Sequence, residues 1–199
     1  MSGILLRIAV AATLFIAILH DTSAQCADRG GLSADQKLET LERPLDRNDR
    51  AAVACAVVYM DELSRRGDAR VIPVLMKNLD LQITFAEQSS LLSRGMHLYG
   101  GEYPAMDDIS WFTKAALGPL LDAIAHAESG SVLSRNAVRT FMALEAINPS
   151  AGVGALTQRA AKEQGRTAQR FMDAAQYAVS LPQCQDTIQA CLDATQPRR

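Results

Sequence analysis

Val53, Ala56, Val57, Met60 and Leu63 fall at i, i+3, i+4, i+7 and i+10, an apolar stripe that winds along one side of a helix. Ala52, Cys55 and Tyr59 form a second apolar strip on another side. A helix that is apolar on two sides needs neighbours on both. The stripe predicts a helix over about 51–66, broken by Gly67-Asp68. Asp68 caps a partner helix, where Ile72, Leu75, Met76 and Leu79 repeat the i, i+3, i+4, i+7 spacing. Pro73 lies near that helix's start, where few hydrogen bonds are lost. This pair, residues 49–81, is what the chain is organised around. Asp61, Glu62, Arg65 and Arg66 read as its solvated face.

Similar patterns recur. Ser33 with Gln36 makes a capping box for a short helix through Leu38 and Leu41, ending before Pro44. Asp46 to Asp49 is a polar turn that caps the next helix. Residues 82–102 interrupt the pattern: a short helix through Phe85, Ser89 and Leu92, then a glycine-bearing loop over 93–102. Helical spacing returns at Pro104 with Met106, Ile109, Trp111 and Phe112, the aromatic pair being assigned to the core. Leu117, Leu120, Leu121 and Ile124 form the next stripe, with Pro119 in its first turns. Ala137, Phe141, Leu144 and Ile147 follow, then Val153, Leu156 and Ala160, then Ala168, Phe171, Met172, Ala175 and Val179. A last short helix carries Ile188, Cys191 and Leu192. Ala and Leu outnumber Val and Ile, and no stretch alternates as a strand would, so the fold class is all-α.

Pro73-Val74-Leu75 and Pro119-Leu120-Leu121 align about 46 residues apart, with the phase of the following stripe slipped by one. The run Asp68-Ala69-Arg70-Val71-Ile72-Pro73-Val74-Leu75 resembles the start of the second helix in HEAT repeats, and Leu117-Gly118-Pro119-Leu120-Leu121 does so more weakly. The resemblance covers about 49–180 apart from 82–102. It implies a short right-handed stack of antiparallel helix pairs, a HEAT-like alpha-solenoid, presenting a surface to other proteins. A non-solenoid helical bundle would carry the same stripes and is the structural alternative. The domain reading is a signal peptide over 1–24, a capping segment over 25–48 and a repeat domain over 49–196 with the 82–102 insertion.

The signal peptide rests on Arg7, the apolar run Ile8 to Leu19, and small residues Thr22-Ser23-Ala24 before a cut ahead of Gln25. The run is too short for an ordinary membrane span. An uncleaved anchor and lipidation of Cys26 are the alternatives. The expected compartment is periplasmic or secreted, without membrane insertion after cleavage. An even count of four cysteines in an oxidising space suggests disulfides, and proximity favours Cys26–Cys55 and Cys184–Cys191. Continuous helix would separate Cys184 and Cys191 by about 10 Å, beyond a disulfide's reach, so Cys184 must precede the last helix. Free buried cysteines are the alternative reading.

Chemistry is sparse. A net charge of −2 gives no electrostatic case for nucleic acid. Asp107 and Asp108 point about 100° apart on a helix and suit a helix N-terminus better than acid–base work. His97 and His126 lack spaced ligand partners, and no nucleophile motif or phosphate loop is present. No catalytic, cofactor or metal site is expected. The expected function is a non-catalytic protein-binding module or scaffold of the cell envelope, its partner unknown. Tyr99, Glu102 and Tyr103 are the expected contact residues. Two alternatives are an envelope enzyme or accessory with a site near 93–108, and an inhibitor of a cell-wall enzyme.

Overall fold

In the computed structural model, which describes residues 31–84, 87, 89, 102–145 and 148–196, the apolar stripes become buried helix faces. The chain forms two units, Met1–Glu62 and Leu63–Arg199. In the first, α1 (Ala34–Glu42) opens with the expected capping box. Ser33 Oγ accepts from the Gln36 N–H, and the Ser33 N–H donates to Gln36 Oε1 at 2.9 Å. Asp49 Oδ1 accepts from the Ala51 and Ala52 N–H groups and so caps α2 (Arg50–Arg65). Val53, Ala56, Val57 and Met60 are all buried, as the stripe requires.

The solvated face is corrected in part. Arg65 and Arg66 are exposed, but Asp61 is buried and engaged in polar contact. Glu62 is half-buried and ion-paired with Lys37. Lys37 is only 2% exposed, and its ammonium also lies 5.8 Å from the Tyr59 ring centroid. A buried ammonium needs such a partner because losing its water is costly.

The last turn of α2 begins the second unit. Gly67, at φ +70°, closes it: the Gly67 N–H donates to Ser64 O and the Asp68 N–H to Leu63 O. This is a Schellman end, which favours glycine because the left-handed region costs it nothing. A 3-10 turn, Ala69–Val71, leads into α3 (Ile72–Lys77). Beyond the insertion come α4 (Pro104–Ile109), a 3-10 turn Ser110–Phe112, α5 (Lys114–His126) and α6 (Val132–Leu144). Then follow α7 (Pro149–Lys162), α8 (Gly165–Val179), α9 (Pro182–Gln185) and α10 (Ile188–Ala194). No strand occurs among the described residues, and the protein is all-α.

Helices pack on their neighbours in sequence. α5 lies against α6, and α7 against α8, while α8 also touches α5 and α6. α3 meets α4 and α5, α4 meets α6, and α10 rests on α7. Leu120, Ile124, Met142, Val153, Leu156 and Phe171 are fully buried between them. In α5 the buried line is Ala116, Leu120 and Ile124, while Leu117 and Leu121 are half-buried. The i, i+4, i+8 line faces the neighbours, with an alanine where the stripe placed a leucine. Pro73 sits at the start of α3, but Pro119 lies inside α5, so the two prolines mark different points of their helices.

Helix ends inside this unit are closed by side chains, some local and some from later helices. The turn after α3 places the Leu79 carbonyl where the buried Asn136 amide of α6 donates to it at 2.7 Å. The Asn78 amide donates to Val74 O at 2.9 Å. Arg170 of α8 donates to Ala125 O, in the last turn of α5, at 2.6 Å, where a cation also meets the negative end of the helix. At the α7–α6 contact, a Cβ on Gly152 would come 2.9 Å from Met142 Sδ and 3.2 Å from Glu145 Cβ.

Asn136→Ala strands the Leu79 carbonyl and should cost about 2 kcal/mol in urea unfolding. Gly152→Ala should lower stability by about 1–2 kcal/mol through crowding in a filled core. Gly154→Ala meets nothing within 4 Å and should instead raise it by about 0.5–1 kcal/mol, as alanine favours helix. A third test concerns Asp68, whose pKa is lowered, chiefly by the hydrogen bonds that Arg70 donates to its carboxylate. A carboxyl with a folded pKa below its unfolded value adds stability above the unfolded pKa. That stability is lost as pH falls through the folded value. Asp68→Asn keeps an acceptor for the Arg70 N–H but loses the charge. The wild-type advantage in urea midpoint should be present at about pH 6 and shrink as pH drops below about 4.

Candidate functional site

The insertion leaves the helical core through a closed stem. The Ile83 N–H donates to Glu102 O at 2.9 Å, and the Gln82 amide donates to Glu102 Oε2 at 2.9 Å. Leu81 and Ile83 are buried, so one side of the stem is anchored in the core. Of the three expected contact residues, Tyr99 lies outside the described residues. Glu102 is exposed but already bonded to Gln82, which makes it a stem residue. Tyr103 is half-buried at the N-cap of α4, where its carbonyl accepts from the Met106 N–H at 3.0 Å. Glu102 and Tyr103 are thus brought together at one place, the junction of stem and α4.

α4 carries two buried carboxylates, Asp107 at 7% exposure and Asp108 at 2%. Both are engaged in polar contacts. Asp107 lies in the first turn of α4, where the sequence placed a helix-start charge, and burial of such groups requires the polar contacts they make.

Trp111 departs most from expectation. It follows α4 in the 3-10 turn and is 49% exposed, whereas Phe112 beside it is buried. The reason is angular: Trp111 stands two residues from the buried Ile109, about 200° around a helix, while Phe112 returns to Ile109's side. The next residue, Thr113, has φ +41° and ψ −116°. A β-branched residue in this region carries strain of about 1–3 kcal/mol, held only by its surroundings. The spacing from Ile109 was the available signal for Trp111. Nothing local in the sequence announces the Thr113 backbone.

Two surface depressions lie elsewhere in the second unit. An open groove of about 870 Å³ runs between α7 and α10, lined mostly by Ala, Gly and short polar side chains. A second, of about 520 Å³, lies between α6 and α8 beside Arg135, Asp173 and Tyr177. Glu102 and Tyr103 line neither. The exposed His126 engages its own helix: Nδ1 donates to Asp122 O at 2.8 Å, a carbonyl that can only accept. His97 lies outside the described residues. Among the described residues, no group of three or more His, Cys, Asp or Glu side chains is placed to hold a metal ion.

Cys184 and Cys191 are disulfide-bonded with Cα atoms 6.1 Å apart. Cys184 lies in α9 and a turn separates it from α10, which meets the geometric condition for the bond. Cys55 is also disulfide-bonded; its expected partner, Cys26, lies outside the described residues, as does the expected signal peptide. A disulfide suggests an oxidising compartment. No described helix is long and apolar enough to cross a membrane. No protein-family model, no curated protein and no solved structure matches the chain.

Proposed function

We propose that this protein is an exported, HEAT-like helical-repeat protein, periplasmic or secreted, that binds another protein. Its contact face is the corner where the insertion stem meets α4, with Glu102 and Tyr103 at one end and Trp111 at the other. The exposure of Trp111 beside the strained Thr113 carries this reading. Tryptophan is the side chain most enriched among interface anchors, because it buries a large rigid surface at little entropic cost. Strain of this kind collects where a backbone must aim a side chain. The partner supplies an apolar pocket for the indole. An inhibitor of a cell-wall enzyme belongs to the same binding class.

The buried Asp107 and Asp108 favour a second reading, an enzyme or enzyme accessory whose site forms around 93–108. Substitution separates the two. Trp111→Ala should reduce recovery of a crosslinked partner from native envelope at least about tenfold, as hot-spot truncations do. The melting temperature should stay within about 1–2 °C of wild type, because the ring is half in water. Equal recovery by the variant sinks the Trp111 corner as the contact face. If an envelope activity is found, loss in Asp107→Asn with Trp111→Ala unaffected favours the second reading.

A further inference from the structure

α10 is held on the protein differently from every longer helix. Cys191 is its only buried residue, and Cys184 is the only buried residue of α9. The apolar side chains that a short amphipathic helix would normally turn inward, Ile188 and Leu192, are 45% and 44% exposed. Its described side-chain hydrogen bonds are local: Gln189 to Asp193, Thr195 to the Leu192 carbonyl, and Thr187 against Cys191 Sγ. Where it faces α7, the groove between them is lined by alanine, glycine and polar side chains, with no large apolar residue. Such side chains offer little apolar area to hold two helices together. By contrast, α8 buries Phe171, Ala174, Ala175 and Ala178.

We propose that the Cys184–Cys191 disulfide is a redox-sensitive latch that fastens α10 over α7, and that reducing it releases α10 while the remaining helices stay folded. The reductant is a dithiol. Its thiolate attacks one sulfur of the protein disulfide, forming a mixed disulfide and expelling the other cysteine as thiolate, which takes up a proton. The second thiol then attacks the mixed disulfide and becomes part of a cyclic disulfide. Two electrons and two protons pass from dithiol to protein, leaving Cys184 and Cys191 as thiols. With the cross-link gone, a seven-residue helix with one buried side chain cannot hold its own turns in water. The α7 side of the groove, above all the buried Thr157 and the half-buried Gly154, is then opened further to water. This latch operates whether or not the Trp111 corner binds a partner.

The test uses the full oxidised chain and a Cys184→Ser/Cys191→Ser double variant, which leaves the cross-link at Cys55 in place. Hydrogen exchange should be faster over 188–196 in the variant by on the order of 30-fold, the loosening expected for loss of a short-loop cross-link. Exchange over 132–144 and 165–179 should be unchanged. Carbene footprinting should rise over 151–158. If the variant does not fold, the oxidised protein is treated with a small dithiol under native conditions, and a Cys55→Ser control so treated shows that the loosening of 188–196 comes from the Cys184–Cys191 bond. Protection of 188–196 that survives loss of the bond would overturn the latch. Simultaneous loss of protection across 104–196 would also overturn it, because the bond would then support the whole unit.

Discussion

A helix that ends inside a protein leaves carbonyls that water cannot reach, and this constraint shapes the packing of Leu63–Arg199. Burial of the apolar stripes brings the helices together without fixing how far each slides along its neighbour. The carbonyls of Leu79 and Ala125 do fix it. Each takes its donor from a later helix, Asn136 on α6 and Arg170 on α8. A slide by one turn would strand the buried Leu79 carbonyl and take from the part-buried Ala125 carbonyl its charge-assisted donor. Gly152 adds a steric stop, because α7 approaches the Met142–Glu145 stretch within the space of one methyl group. Hydrophobic burial supplies most of the driving force, and these few polar and steric contacts set the register.

The same economy explains where the molecule departs from regularity. α4 is a single short turn-and-a-half of helix that buries Pro104, Ala105, two aspartates and Ile109. A segment so enclosed leaves no continuous surface for its next aromatic, and Trp111 emerges into solvent. Thr113 then absorbs the change of direction into α5 with a backbone that a β-branched residue rarely adopts. The insertion stem joins the core just ahead of this corner. Chain connectivity therefore concentrates the exposed aromatic, the strained residue and the expected contact residues Glu102 and Tyr103 within one short stretch.

Covalent and non-covalent fastening are distributed unevenly in the second unit. The longer helices are held by buried stripes. α9 and α10 each bury only a cysteine, and their shared disulfide stands where a buried stripe would. A cross-link is effective there because it limits the freedom of a segment that has little packing to lose.

How much was legible in the residues follows the range of the interactions. The helices of 34–65, 72–77, 104–179 and 188–194, the capping box at Ser33, the break at Gly67 and the all-α class follow from spacing within one or two turns, which the sequence displays directly, whereas the helical turn of 182–185 was not expected. The Cys184–Cys191 bond was legible for the same reason, since seven residues and a proline bound its geometry. Tertiary structure alone decided the burial of Asp61, Asp107 and Asp108, the pairing of Lys37 with Glu62, and the donors for Leu79 and Ala125. The Lys37–Glu62 pair and the donors for Leu79 and Ala125 join residues 25 to 57 apart, so no local pattern encodes them. Trp111 lies between the two cases: its phase was readable, but its exposure depended on which sides of α4 the neighbouring helices occupied. Periodicity fixes which side of a helix is apolar; only the packed neighbours decide which buried polar groups find partners and which ring is left facing water.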